Sequence, residues 1–302
     1  MRCFKLLVLC SVLVLVASAC TYTTKKPETI GETHQGTQGI YFDFLPNYPP
    51  SIIYTSGDDS GTNVVLEVKN LGSIDAGSVY FYLSGFDPNI FQVGNPLFVL
   101  GTIEGKSTTN PEGGYSQVQF PNYGTIRIRM PADIDVYPAN LQATACYDYR
   151  TKASLPVCVD PDPYSAITQK SCIPHGASVT GGQGAPVSIS SVEQESIKGK
   201  VIFKIRISNV GGGQVFEKGR YSQCTQLSYD LFNKIYYPAF KLGGAAGRCT
   251  PDSPVRLVNN QALITCVFNV AGNLAYTTTL DVDLEYGYMT SKQRNIQIKK
   301  IS

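Results

Sequence analysis

Two stretches decide how this chain is read: VVLEVKNLG at residues 64–72 and FKIRISNVG at residues 203–211. In each, apolar residues alternate with polar ones and the run closes on Asn-x-Gly. Period-two alternation buries one face of a β-strand. Asn70 with Gly72, and Asn209 with Gly211, are expected to supply the φ > 0 backbone that lets a chain leave a strand sharply. Asn70 corresponds to Asn209 and Gly72 to Gly211, a constant offset in numbering. LQATACYDYRT at 141–151 recurs as LDVDLEYGYMT at 280–290, at the same offset. Gly36-Thr-Gln-Gly39 recurs as Gly181-Gly-Gln-Gly184, each just ahead of a first strand. Three matches in one order, two at a single spacing, mark a tandem duplication.

Each copy has about 120 residues and room for seven or so strands separated by Gly, Pro, Asn and Asp. That suits an antiparallel sandwich of two sheets. The expected fold is therefore all-β: two tandem immunoglobulin-like antiparallel β-sandwiches, at residues 38–165 and 181–302, joined by a link at 166–180. The segment Asp230 to Tyr237 is the best place for a short helix. LEVKNLGSIDAG (66–77) and IRISNVGGGQVF (205–216) resemble the second-strand motif of CARDB-type immunoglobulin-like domains of prokaryotic surface proteins. The resemblance covers about twelve residues per copy and implies the sandwich fold and display at a surface, not an activity. The chain as a whole also resembles exported proteins of small archaea.

Residues 1–20, MRCFKLLVLCSVLVLVASAC, place two cations before an apolar run from Leu6 to Val16 and then Ala17-Ser18-Ala19. This is the layout of a secretory signal. The run, about eleven residues, is short of the ~20 that span a bilayer as a helix. The ending resembles a prokaryotic lipobox, in which Cys20 is lipidated and becomes the first residue, although Ala17 stands where Leu or Val is usual. Plain cleavage after Ala19 and an uncleaved N-terminal anchor are the alternatives. Residues 21–37 are polar and aperiodic, as a flexible tether is. Removing Arg2 and Lys5 with the leader from 25 basic residues leaves 23, against 23 acidic ones. A balanced chain with 16% charged and 43% hydrophobic residues has no electrostatic case for nucleic acid and is too apolar for disorder.

Of nine cysteines, Cys3 and Cys10 go with the leader and Cys20 sits at its end. The remaining six, Cys146, Cys158, Cys172, Cys224, Cys249 and Cys266, form no CxxC pair and read as disulfides of an exported chain. A hairpin with a turn at 151–153 sets Cys146 opposite Cys158 on its outer face, predicting a cross-strand bridge. Cys224–Cys249, closing a copy-two insertion, and Cys172–Cys266, tying the link to copy two, are the favoured remaining pairs. No Asn-x-Ser/Thr sequon occurs.

Little else carries chemistry. His34 lies in the tether and His175 in the link, and a catalytic His needs a rigid frame. Asp160-Pro-Asp162 is either a calcium ligand pair between the copies or a kinked linker with solvated acids, and no stretch supplies an EF-hand pattern. Asp281 and Asp283 alternate with Val282 and Leu284, as the wet face of a strand does. Tyr147/Tyr149 and Tyr286/Tyr288 share a sheet face and read as sandwich core. In the copy-two insertion Tyr236, Tyr237 and Phe240 are the candidate interface, or else they pack on their own domain. The expected function is a non-enzymatic envelope or surface protein, structural or adhesive. It is held to the membrane through its N-terminus and meets a protein partner there, with no cofactor and no metal. The alternative is an accessory module for a surface enzyme or uptake system that binds glycan or peptide.

Overall fold

The structure, a computed structural model, describes residues 35–56, 60–166 and 169–301. The leader with Cys20, residues 21–34 of the tether with His34, and Asp58-Asp59 lie outside the described residues. The described chain is all-β, with several antiparallel sheets and two short 3-10 helices, Tyr221–Gln226 and Tyr229–Leu231. The helix expected at residues 230–237 is thus one 3-10 turn followed by the strand Lys234–Ile235. Asn233 takes φ 63° between them, which an α-helix does not allow.

Two strands organise everything else. Val136–Val159 and Tyr276–Lys300 pair antiparallel without a break, from Val136 against Lys299 to Val159 against Tyr276. We call this ribbon the spine, and its members the first and second spine strands. The expected hairpin does not form. Thr151-Lys152-Ala153 contains none of the residues that reverse a chain, and Thr151 is fully buried in mid-strand. The strand therefore runs straight on, beside a partner of similar length.

The register sets the two recurring motifs against each other. Asp148 faces Gly287, its own equivalent in the second copy, with Tyr147 against Tyr288 on one side and Tyr149 against Tyr286 on the other. A local two-fold relation passes through that pair. Each spine strand begins in one copy's sheet and ends in the other's. Gln142–Cys146 pairs with Val79–Ser84 of copy one, and the far end of the second spine strand, Gln297–Lys300, accepts Ile52–Thr55 of copy one in parallel. The near half of the second spine strand pairs with Gln214–Phe216 and Lys241–Leu242 of copy two. Across the core, copy one adds a separate sheet of Ile40–Phe44, Val64–Asn70 and Tyr115–Phe120. Copy two adds one built on Val187–Ile197, Lys200–Asn209 and Gln261–Asn269. Alternation explains both: Leu66 and Val68, like Phe203 and Ile205, are fully buried on either side of the more exposed Glu67 and Lys204. Phe42 meets Phe81 edge to face at 5.5 Å where the copy-one sheets oppose.

The Asn-x-Gly ends serve a different purpose from the one their composition suggested. Asn70 ends its strand and Asn209 ends the equivalent one, yet neither they nor Gly72 and Gly211 have positive φ. Instead a tyrosine of the spine reaches each end. The Tyr149 hydroxyl donates to Asn70 Oδ1 at 3.1 Å, and the Tyr288 hydroxyl to Asn209 Oδ1 at 2.9 Å. A Cβ on Gly72 would lie 1.9 Å from the Tyr149 hydroxyl, and one on Gly211 2.6 Å from that of Tyr288. Glycine is needed for close approach, not for turning. Likewise Ile40 N–H donates to the Tyr147 hydroxyl at 3.0 Å, and Val187 N–H to that of Tyr286 at 3.3 Å. Tyr147, Tyr149, Tyr286 and Tyr288 are all buried, with the Tyr147 and Tyr288 rings 6.1 Å apart across the two-fold. The paired glycine motifs meet as well: Gly36 N–H donates to Gly181 O at 2.7 Å, and Gly184 N–H to Gly36 O at 3.0 Å.

Candidate functional site

All six cysteines of the described chain form disulfides, in pairs other than those expected: Cys146–Cys224, Cys158–Cys172 and Cys249–Cys266. Each correction has a cause. With no hairpin, Cys146 and Cys158 sit far apart on one extended strand, beyond the reach of a disulfide. Cys249 lies directly opposite Cys266 on neighbouring strands, so the cross-strand bridge exists, in copy two. Cys172 folds the link back onto the end of the first spine strand rather than onto Cys266. Cys224, expected to close its own insertion, carries that insertion onto the outer face of copy one. Three disulfides indicate an oxidising, extracytoplasmic environment.

The aromatic loop residues separate. Phe240 is fully buried and Tyr237 nearly so, their rings 4.9 Å apart, with Tyr237 N–H donating to Ser253 Oγ at 3.0 Å and its hydroxyl to Pro251 O. They are core, the second of the two alternatives open for this loop, and not an interface. Tyr236 is half-buried: its hydroxyl donates to Glu217 Oε1 at 2.7 Å, and Lys218 Nζ sits 5.0 Å from its ring centre. Burial, aided by the Glu217 carboxylate, pushes the Tyr236 phenol up to about 12. That same hydroxyl, with Arg220 and Lys234 behind it, holds the Glu217 carboxyl below its ordinary value.

The acidic pair at the end of the first spine strand is neutralised by lysine. Asp160, 2% exposed, accepts from Lys170 Nζ at 2.5 Å, which also reaches the carbonyls of Asp162 and Pro163 at 3.4 and 3.2 Å. Lys198 pairs with Asp162 at 3.2 Å. An ammonium group thus occupies the position considered for calcium, and Asp160 is not solvated either. His175 is exposed, its ring bonded to Gly176 O at 3.1 Å.

A surface that sequence reasoning missed lies on the outer face of the spine. On the copy-two half, Arg150 makes a two-point bond to Asp283, and Glu285 holds Lys218 at 2.6 Å. Lys152 and Asp281 extend this charged half. On the copy-one half, short of Val136 and Lys299 at its far end, three successive outward pairs set Asn140, Gln142 and Thr144 against Asn295, Gln293 and Ser291. None carries charge. Their side chains are linked: Gln293 Nε2 donates to Gln142 Oε1 at 3.1 Å, and the Thr144 and Ser291 hydroxyls bond at 2.9 Å. The Cys146–Cys224 bridge pins the insertion beside this ladder, where Leu227, Phe232 and Met289 pack around the disulfide. The Tyr82 hydroxyl donates to Ser222 O at 2.6 Å. Between insertion and ladder runs a groove of about 480 Å³, and a second opening of about 570 Å³ lies further along the ribbon over Asn140 and Asn295. The available signal was the polar half of the alternation in 140–144 and 291–295. It becomes a surface only when the two strands are known to pair.

No protein-family model matches the chain, and no curated protein was found similar to it. Among solved structures, the crystal structure of the C-terminal globular domain of an oligosaccharyltransferase from Pyrococcus abyssi is weakly similar. It shares 11% identity at a TM-score of 0.18, over 88% of this chain and 50% of that one. This chain therefore spans about half the length of that structure.

Proposed function

We propose that this is an exported, non-catalytic protein displayed at the cell surface. In this reading it consists of two CARDB-type immunoglobulin-like sandwiches fused into one scaffold and tethered through Cys20. The observation that carries it is the uninterrupted spine. The first spine strand is 24 residues long and paired throughout, roughly 80 Å of ribbon at about 3.4 Å per residue. A flexible linker between domains permits relative motion by default; a shared ribbon does not, and a stiff body suits a module that holds a surface away from a membrane. Engagement of all six described cysteines in disulfides leaves no thiol there as a nucleophile. The test is surface proteolysis of intact cells together with fractionation of wild type and Cys20→Ser. Protease-accessible, membrane-associated wild type and a released or unprocessed variant support the proposal. An intracellular, protease-protected protein overturns it, and a Cys20→Ser variant that stays membrane-bound at its unprocessed mass replaces the lipid with a retained anchor.

A second reading, a glycan- or peptide-binding accessory module, is favoured by the uncharged half of the spine face and by the grooves above it.

A further inference from the structure

We infer that the copy-one half of the spine face binds an uncharged oligosaccharide, an assignment that rests on the second reading above and narrows it. The first reason is composition in register. Asn140, Gln142 and Thr144 face Asn295, Gln293 and Ser291, so successive outward positions on both strands carry only amides and hydroxyls. Further along, the same face is laced with Arg150, Lys152, Asp281 and Asp283. A surface with no task other than staying in water has the second character. Amides and hydroxyls both donate and accept, which is what the alternating donor and acceptor roles of sugar hydroxyls require. They impose no charge that a neutral ligand would fail to meet.

The second reason is the wall. The groove beside the ladder is lined by Leu227 and Phe232 of the insertion and, from the sheet itself, by Tyr82 and Met289. That is apolar surface for the C–H faces of a pyranose, next to a few polar groups that fix orientation. The Cys146–Cys224 bridge ties the wall covalently to the floor, and the bonds among Gln142, Gln293, Thr144 and Ser291 hold the floor before any ligand arrives. Little side-chain entropy then remains to be lost on binding. A peptide cannot add itself as a strand against the first spine strand. Over Gln142–Cys146 the first spine strand already has partners on both sides, so its backbone offers no free edge.

The test is an array of neutral gluco- and manno-oligosaccharides, printed beside sulfated and uronate-bearing ones and a peptide library. It is probed with the purified, oxidised full chain at low and high salt. Retention of a neutral oligosaccharide with no salt dependence is expected. Gln142→Ala and Gln293→Ala are expected to weaken it by about tenfold each, the loss of about one or two neutral hydrogen bonds. Lys152→Ala on the charged half leaves binding unchanged, and all three variants keep the wild-type melting temperature. Binding only to acidic glycans, only to peptides or only to a second copy overturns the inference. So does the absence of any neutral ligand, or binding that both glutamine variants retain. Because the readout uses purified protein, its failure leaves surface display standing, and mislocalisation in cells leaves the binding result standing.

Discussion

Thr151 and Thr290 are equivalents in the duplication, and the structure gives them opposite energetics. Thr151 is fully buried and its hydroxyl donates to Val187 O at 2.6 Å. With that proton committed, the 2.8 Å bond to Tyr286 must be donated by the tyrosine, whose oxygen in turn accepts from Val187 N–H. Three residues thus close a ring of hydrogen bonds running in one sense. In copy one the ring is open: Ile40 N–H donates to Tyr147, but the buried Thr290 Oγ1 has no partner. Valine matches threonine in shape and removes only the hydroxyl. Thr151→Val strands the Val187 carbonyl and the Tyr286 hydroxyl, at about 1–3 kcal/mol for each buried group left unpaired. We expect a loss of about 2–4 kcal/mol and, at about 2–4 °C per kcal/mol for a chain of this size, a melting temperature roughly 5–15 °C lower. Thr290→Val removes a hydroxyl whose uncompensated burial costs about 1–3 kcal/mol, so its melting temperature should match or exceed wild type. Calorimetry on the oxidised full chain reads both. Equal losses, or a Thr151→Val variant as stable as wild type, refute the ring as a source of stability.

Three further outcomes are expected. Removing Cys146–Cys224 as a double Ser variant should cost more than removing Cys158–Cys172, about 4.5 against about 3 kcal/mol on the chain-entropy account; the respective separations are 78 and 14 residues, and denaturant melts check the order. Lys170→Met strands the buried Asp160 carboxylate and should cost about 3–5 kcal/mol, much of it recovered in the Lys170→Met/Asp160→Asn double variant, while added calcium leaves the wild-type melting temperature unchanged. Burial pushes the Tyr288 phenol up to about 12, and a raised folded value means the stability it contributes is complete below the unfolded value of about 10 and is lost as pH rises through about 12; near-ultraviolet titration should therefore show a share of the tyrosines that ionises only with alkaline unfolding, and complete phenolate formation in a chain still native by circular dichroism contradicts it.

Strands, their inner faces and the equivalence of Asn70 with Asn209 were legible because alternation and a constant offset are properties of the chain itself. What the sequence did not disclose is which strand a strand meets. A run such as 141–159 alternates in the same way whether it folds back at Thr151 or continues into another copy's sheet. A reversal at Thr151 puts Cys146 opposite Cys158, and the other wrong pairings follow from that one topological error. Tyr147, Tyr149, Tyr286 and Tyr288 were recognisable as core, but their bonds to Ile40, Asn70, Val187 and Asn209 join places distant in the chain, which period and propensity do not encode. Phe240 and Tyr237 were ambiguous for the usual reason that a loop rich in aromatics can face inward or outward, and burial decided it.

Divergence between the copies follows the two faces of the spine. Between residues 141 and 154, the positions identical to their equivalents in the second copy are Leu141, Tyr147, Tyr149 and Thr151, all on the inner face. Tyr147, Tyr149 and Thr151 surround the two-fold, where a changed side chain would disturb both copies at once because Tyr147 faces Tyr288, Tyr149 faces Tyr286 and Thr151 bonds Tyr286. No outward position in this stretch is retained: Gln142 corresponds to Asp281, Thr144 to Asp283, Arg150 to Met289 and Lys152 to Ser291. The substitutions are sorted by place as well as by face. Every charged member of those pairs stands on the copy-two half and every uncharged member on the copy-one half, because the spine strands cross between copies. Solubility alone would be served by charge on either half. The copy-two segment that carries Cys224 is bridged onto the uncharged half and not onto its own. Absence of charge, a covalently fixed wall and a floor of linked amides are thus combined on only one half of the ribbon, and it is on this combination that the proposed ligand site rests.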